Sequence, residues 1–253
     1  MRTNIVKHCN KTVLFGIGML ASLMLSGCSN GADLVKEKIP VFINSELTMS
    51  DYMSDTETID DLAGELGAVW SINLTVKQVE GEKIREVDSC NSIISAYDDN
   101  FEPINPSFYT TFLNALMQCR AISIAVNMKS SNLSYISSNL DKVSVSNFPA
   151  ILAFIPSETK KLSIENDASL INISKVTPII DFTSVSNYEA ELIIDGGTQT
   201  IMVLAKGDVD GDQLEDLLIR VVNASEKGSY RATHLFVLTK KENEGNWLLL
   251  SEY

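Results

Sequence analysis

The spacing of apolar residues changes from helical to strand-like along the chain. Apolar side chains recur at i, i+3, i+4 and i+7 in three segments, which begin near Ile59, after Asp88 and after Asn105. The third segment is the longest, and Pro106 stands at its first position, where a helix tolerates proline best. Its apolar stripe, typical of a helix packed on a core, consists of Phe108, Phe112, Leu116, Cys119 and Ile122. A single strand is predicted over residues 70–79.

The final third of the chain alternates between apolar and polar residues, as strands do. The predicted strands cover residues 188–194, 198–205, 217–222, 233–239 and 247–250. Short connections between them favour an antiparallel meander of about five strands. Pro149 and Pro156 bound the apolar run that ends at Ile155, which predicts a short helix or packed connection instead of a central strand. The pattern over residues 157–181 assigns no element. The predicted fold class is α+β, with an N-terminal mixed helical region and a C-terminal antiparallel β-meander.

The N-terminus has the features of an export signal. Arg2, Lys7 and Lys11 precede an apolar segment over residues 13–25, which is too short for a permanent membrane-spanning helix. The segment ends in Leu25-Ser26-Gly27-Cys28, which resembles the lipobox of bacterial lipoproteins. The resemblance implies cleavage before Cys28, a diacylglyceryl thioether on its sulfur and acylation of the new N-terminus. The alternative is an ordinary secretory signal followed by a chance cysteine.

The same resemblance predicts a location and a division of the chain. Ser29 stands where some lipoproteins carry an inner-membrane retention aspartate, which favours the outer membrane and its periplasmic face. Residues 1–27 are predicted to be the signal peptide and residues 28–57 a polar tether. A mixed α/β region with a helical core follows over residues 58–180, and residues 181–253 form the antiparallel β region.

An acidic loop interrupts the predicted strands. Asp208, Asp210, Asp212 and Asp216 occupy positions 1, 3, 5 and 9 of the loop, and the Leu214 carbonyl stands at position 7. Hard oxygen ligands at alternate positions of a tight loop are what a calcium ion requires. Without a cation, these carboxylates would repel one another within one turn. The loop therefore predicts a structural calcium site, and a solvated acidic turn is the alternative.

Gly207-Asp208-Val209-Asp210-Gly211-Asp212 with Asp216-Leu217-Leu218-Ile219 resembles the calcium loop of FG-GAP and VCBS-type repeats. The resemblance covers about 15 residues and occurs once, so it does not support a propeller, whose blades would each repeat it. An EF-hand is excluded because position 12 is Ile219 instead of glutamate and position 6 is Gln213 instead of glycine. Gln213 also departs from many FG-GAP loops, and a left-handed backbone there would cost about 1 kcal/mol.

Cys90 and Cys119 lie on predicted apolar helix faces in a chain with an export signal. A single remaining pair in an oxidising compartment predicts a disulfide, and two buried free thiols are the alternative. His234 lies within a predicted strand and is interpreted as a structural or surface residue. It is far along the chain from both cysteines, so a catalytic cysteine–histidine pair is disfavoured.

The chain carries a formal net charge of −13, and its predicted signal peptide contains no acidic residue. This charge disfavours nucleic acid as a partner and disfavours binding of the folded part to anionic membranes. It suits a cationic protein partner or a divalent cation, although solubility alone could explain it. The sequence contains no HExxH, G-x-S-x-G, P-loop or dinucleotide fingerprint.

These observations favour a lipid-anchored, non-catalytic envelope protein that binds another protein or has a structural role. One alternative is an immunity or inhibitor lipoprotein that neutralises a cationic toxin or lytic enzyme. Another is an envelope glycan hydrolase that uses a pair of carboxylates.

Overall fold

The computed structural model describes residues 37–48, 59–70 and 73–253. The predicted signal peptide, the predicted lipidation site Cys28 and the remainder of the predicted tether lie outside these residues. The described residues belong to one compact unit, Lys36–Tyr253. Among them, the helices are too short or too polar to span a bilayer.

Helices are concentrated before residue 180 and strands after it. The α-helices are α1 (Ser45–Thr48), α2 (Ile59–Glu65), α3 (Cys90–Asp98), α4 (Tyr109–Asn127), α5 (Lys142–Ser146), α6 (Glu158–Glu165) and α7 (Ile173–Val176). Two 3-10 turns cover Pro106–Phe108 and Ala150–Leu152. The strands are β1 (Phe42–Ile43), β2 (Leu74–Gln78), β3 (Ile84–Val87), β4 (Phe101–Pro103), β5 (Ile179–Ser186), β6 (Glu189–Ile194), β7 (Gly197–Gly207), β8 (Asp216–Ser225), β9 (Arg231–Lys240) and β10 (Trp247–Glu252).

Strands β5 to β10 form an antiparallel meander in sequence order, and β1 adds to the end of β7. Bulges interrupt the pairing of β5 with β6 and of β10 with β9. Irregular edge strands are a common protection against pairing with another chain. The predicted fold class is confirmed, and the meander contains one strand more than the pattern of residues predicted.

The large sheet is covered on both faces because its strands alternate two sets of apolar side chains. One face, which includes Ile219 and Phe236, packs against the segment 140–176. The opposite face, which includes Leu218 and Val237, packs against α4. The meander therefore forms the middle layer between α4 and the short helices α5 to α7.

A smaller sheet of order β3-β2-β4 packs with α3 and the first half of α4. The structure contains the predicted disulfide between Cys90 and Cys119, which links these two helices. Both residues are nearly inaccessible to solvent, at 0% and 2% exposure. The disulfide therefore lies inside the small hydrophobic core that α3, α4 and the smaller sheet form, and it stabilises that core.

Several details of the predicted helices are wrong. Helix α3 begins after Ser89 and not directly after Asp88, because the Ser89 side chain caps the helix by accepting a hydrogen bond from the Ser92 backbone N–H. Phe108 belongs to a 3-10 turn and is 47% exposed, so it does not share the buried stripe of α4. Asn105 does cap this turn, and its side chain accepts a hydrogen bond from the Ser107 backbone N–H.

The predicted tether is also too long. Strand β1 pairs with β7, and the side chain of Leu47 is fully buried in the core beside α4. Residues 37–48 therefore belong to the folded unit, although they lie within the segment predicted as a tether. Strand β5 begins at Ile179, one position before the predicted boundary between the two folded regions, and the segment 140–176 packs directly on the sheet.

Candidate metal centre

The acidic loop, residues 208–215, connects β7 to β8 and is closed by a strand pair. Gly207 and Asp216 are directly opposite each other at the end of that pair. A Cβ on Gly207 would come within 3.0 Å of Met128 Cβ and 3.1 Å of the Lys129 carbonyl oxygen. Because Gly207 has no Cβ, the segment that follows α4 can approach the end of β7 closely.

The segment that follows α4 anchors the acidic loop through the backbone. Lys129 and Asp208 exchange two backbone hydrogen bonds, of 2.9 and 2.8 Å. Farther along, the Glu215 N–H donates to the Leu133 carbonyl at 2.9 Å, and the Asn132 N–H donates to the Gln213 carbonyl at 2.9 Å. The loop is thus fixed at both ends and along one side.

Carboxylates inside the loop accept hydrogen bonds from its own backbone. The two oxygens of Asp208 accept from the N–H groups of Gly211 at 2.7 Å and Gln213 at 3.1 Å. Asp216 Oδ2 accepts from the Val209 N–H at 2.8 Å. These bonds orient the side chains and partly compensate their charge.

Three of the predicted ligands meet in the structure. Asp208, Asp210 and Asp216 each place one carboxylate oxygen within 4.8 Å of those of the other two. Asp208 is 4% exposed and Asp216 is fully buried, whereas Asp210 is exposed. The group therefore combines two buried carboxylates with one that reaches solvent, and it can coordinate a divalent cation.

The Asp216 side chain accepts few hydrogen bonds. Its Oδ1 atom is buried and accepts no well-aligned hydrogen bond, and the buried Thr239 hydroxyl beside this carboxylate has no other partner among the described residues. Burial raises the pKa of Asp216 to about 6. Hydrogen bonds from the Val209 N–H and the Thr239 hydroxyl lower it, and the charges of Asp210 and Asp212 raise it further. A buried carboxylate that accepts so few hydrogen bonds is destabilising unless a cation or proton neutralises it.

The other two predicted ligands lie in the same loop but outside this group. Asp212 Oδ1 accepts from the Leu214 N–H at 2.9 Å, and its Oδ2 lies 3.9 Å from Lys241 Nζ. Leu214 contributes its backbone, and its carbonyl oxygen accepts no hydrogen bond from any residue that the structure describes. That carbonyl therefore has no competing hydrogen bond, whereas Asp212 faces a competing ammonium group.

Two loop residues adopt left-handed backbone conformations, Gly211 at φ 87° and Gln213 at φ 70°. Glycine takes this conformation without strain, whereas glutamine there costs about 1 kcal/mol. The Gln213 side-chain oxygen accepts a hydrogen bond from the Asn132 side chain, which helps to hold the conformation. The departure of Gln213 from the resembled loop therefore leaves the tight turn intact.

The pattern of residues did not predict that two charged residues next to the loop, Lys206 and Glu215, interact electrostatically. Both residues are buried, at 8% and 7% exposure. Burial lowers the pKa of Lys206, and the nearby Glu215 raises it. Glu215 also accepts a hydrogen bond from the Ser134 hydroxyl at 2.7 Å. This acidic residue is consequently compensated by protein groups, and it does not belong to the group of three aspartates.

Replacing Asp216 with Asn is expected to have opposite effects in the absence and presence of calcium. Without calcium near pH 7.5, the variant should be more stable than wild type by about 1–3 kcal/mol, because no buried charge is left unpaired. The cost of the wild-type charge builds up between about pH 4 and pH 6, since the unfolded chain releases this proton near pH 4 and the folded chain near pH 6. With calcium the order should reverse, as measured by urea unfolding.

Asp195→Asn in the exposed turn between β6 and β7 is the matched control, and its stability should not respond to calcium differently from wild type. A variant of Asp216 that is less stable than wild type under both conditions would contradict the assignment of an uncompensated charge.

No protein-family model, curated protein or solved structure matches the chain.

Proposed function

We propose that the chain is a lipid-anchored protein of the bacterial cell envelope, whose folded unit is a non-catalytic binding or structural module braced by calcium. The observation that carries the calcium assignment is Asp216, a fully buried carboxylate that lies beside two other carboxylates and whose Oδ1 atom accepts no well-aligned hydrogen bond. Such a group requires a positive charge at neutral pH, and no lysine or arginine within the described residues forms an ion pair with it.

Calcium suits this loop better than magnesium or a transition metal. All the available ligands are oxygens, from three converging aspartates, Asp212 and the Leu214 carbonyl, and calcium accepts irregular arrangements of six to eight oxygens. Magnesium requires near-ideal octahedral geometry and keeps several waters, while transition metals favour nitrogen or sulfur ligands. His234 is not among the residues of this group.

The proposed role of the ion is structural. The loop lies where β7 and β8 join the segment 129–133, so a bound ion would hold the end of the sheet against the layer that contains α4. Three or more carboxylates around a divalent ion leave residual negative charge. The ion therefore acts mainly by reducing the repulsion between these carboxylates. Extracytoplasmic calcium modules commonly have dissociation constants of roughly 10⁻⁴–10⁻³ M.

The lipid anchor is proposed to be attached to Cys28 and to hold the protein at the outer membrane, facing the periplasm. The lipobox resemblance supports this proposal, as does the disulfide, which is typical of proteins that pass through an oxidising compartment. Several acyl chains bind a bilayer stably, at about 0.8 kcal/mol per buried methylene.

Cys28→Ser is expected to abolish acylation, so the variant should leave the detergent phase in Triton X-114 partitioning and lose the mass of the acyl chains. Cys9→Ser changes the other N-terminal cysteine and should partition as wild type does. An unchanged detergent fraction and unchanged acyl mass in the Cys28 variant would contradict the proposal of a lipid anchor.

A protein partner is proposed because the surface combines strong negative charge with exposed apolar side chains. Ile180 and Val185 of β5 and Ile193 of β6 are 65%, 52% and 49% exposed. The charge of −13 favours a cationic partner, and an immunity or inhibitor role against a cationic toxin or lytic enzyme is the second candidate function. Crosslinking in intact envelopes, followed by pull-down, tests both, because a cationic partner should be captured less efficiently at high salt.

A further inference from the structure

A cleft opens on the face of the large sheet that α4 does not cover. The cleft, of about 300 Å³, lies among the 3-10 turn at Leu152, the start of α6 and strands β8 to β10. Its volume is at the lower end of the range of ligand pockets, roughly 300–1,000 Å³. The cleft is therefore large enough for a small molecule but not for a folded partner.

One wall of the cleft is apolar and includes Ile151, Ile155 and Phe236. Tyr230 adds an aromatic ring that is 37% exposed. The ring is held in place because it packs edge-on against Phe154, with centroids 6.0 Å apart, and its hydroxyl donates to the Ile155 carbonyl at 3.4 Å. The cleft thus presents a fixed aromatic and aliphatic surface before any ligand binds.

The polar wall contains an unused hydrogen-bond donor. Asn223 lines the cleft and is only 4% exposed. Its side-chain oxygen accepts from the Gln199 amide at 2.8 Å, which fixes the orientation of the side chain. The Asn223 amide nitrogen donates no hydrogen bond to any residue in the part of the chain that the structure describes. A buried amide that faces a cleft with free N–H groups is suited to a ligand oxygen.

The cleft carries charged groups of both signs. Glu158 and Glu252 supply acceptors, and Lys161 supplies an ammonium group that forms no ion pair among the described residues. His234 Nδ1 lies 3.7 Å from Glu252 Oε1. Burial lowers the pKa of His234, with Glu252 raising it and Lys161 lowering it, so the imidazole is neutral near pH 7. A ligand of either charge would therefore meet at least one like charge as well as an opposite charge, whereas a neutral ligand avoids this repulsion.

From this arrangement we propose that the cleft binds a small, neutral, hydroxyl-rich ligand the size of a single sugar residue. A sugar ring has an apolar face for Tyr230 and Ile155, and its hydroxyls both donate and accept hydrogen bonds. The carboxylates of Glu158 and Glu252 accept from such hydroxyls, while Asn223 and Lys161 donate to them. This binding site is separate from the proposed calcium loop and does not depend on it.

The test uses three soluble sugars that share one ring and differ in charge: neutral N-acetylglucosamine, glucosamine, which is predominantly cationic near pH 7, and anionic glucuronate. Each is titrated into the ¹⁵N-labelled full chain in detergent, and the His234 imidazole resonance, assigned with His234→Gln, reports on the cleft. N-acetylglucosamine should shift this resonance with a dissociation constant on the order of 1 mM, as expected for about 15 non-hydrogen atoms of ordinary ligand efficiency.

Lys161→Met should weaken this binding by about tenfold, because a hydrogen bond to a charged group is lost. Lys160→Met, on the same helix but outside the cleft lining, should leave it unchanged. Glu158→Gln tests a second, exposed residue of the cleft and should also weaken the binding of N-acetylglucosamine, because a charged hydrogen-bond acceptor is lost. Glu165→Gln, on the same helix but outside the cleft lining, is the control and should leave this binding unchanged. The proposal is overturned if the His234 resonance stays in place up to 50 mM N-acetylglucosamine, if a charged sugar binds as tightly, or if Lys161→Met and Lys160→Met bind equally well.

Discussion

Calcium is expected to raise the free energy of unfolding by about 2.7 kcal/mol at a free concentration 100 times its dissociation constant. Folding brings one carboxylate oxygen each of Asp208, Asp210 and Asp216 within 4.8 Å of the other two. The unfolded chain does not hold these oxygens together, so it should bind the ion much more weakly. The stabilisation should appear as a higher melting temperature in calcium than in EDTA, and it should increase with calcium concentration.

Asp210→Asn isolates the contribution of the site to this shift. Asp210 is exposed, and its side chain accepts only one hydrogen bond from within the loop, from the Asp212 N–H at 3.1 Å. The variant should therefore fold normally and lose most of the shift that calcium produces in wild type. Asp195→Asn should keep the full shift, because the ion acts at the loop and not through the total charge. Equal shifts in the two variants would show that calcium acts through general screening.

Removing the disulfide is expected to lower the free energy of unfolding by about 3–4 kcal/mol in the chain-entropy model. Cys90 and Cys119 are separated by 29 residues, so the bond restricts the unfolded chain considerably. Cys90→Ala with Cys119→Ala should show this loss in urea unfolding. The double variant should then be insensitive to dithiothreitol, whereas reduction should destabilise wild type by a similar amount.

Thiol labelling of the denatured but unreduced protein provides an independent check. Neither Cys90 nor Cys119 should react until a reductant is added. Quantitative labelling of both without reductant would show that they are free thiols in the protein as purified.

The sequence pattern predicted the elements whose apolar residues are periodic or form continuous runs. Helix α4 buries one stripe and strand β6 alternates buried and exposed residues, while β7, β8 and β9 are recognisable as runs of apolar residues that are buried on both faces of the sheet. Strand β5 was not predicted because it lies at the sheet edge and most of its residues are exposed. Strand β1 was not predicted because only two residues form it, and their pairing with β7 depends on contacts more than 160 residues away.

For the candidate metal centre, residue spacing predicted the ligand types and which loop carries them. It did not predict which carboxylates converge, since Asp212 turns towards Lys241 while Asp216 is buried at the start of β8. The spacing also did not predict that the segment 129–133 anchors the loop, because the backbone hydrogen bonds between them join residues far apart in the sequence. Local spacing determines the chemistry of the loop, but its charge balance depends on groups that only the fold brings together.

Isothermal titration calorimetry of calcium into the chelator-treated protein tests the proposed brace most directly. The proposal predicts one site per chain with a dissociation constant of roughly 10⁻⁴–10⁻³ M, and no measurable binding to Asp216→Asn. The absence of heat at several millimolar calcium, together with identical melting curves in calcium and EDTA, would show that residues 208–216 form only an acidic turn.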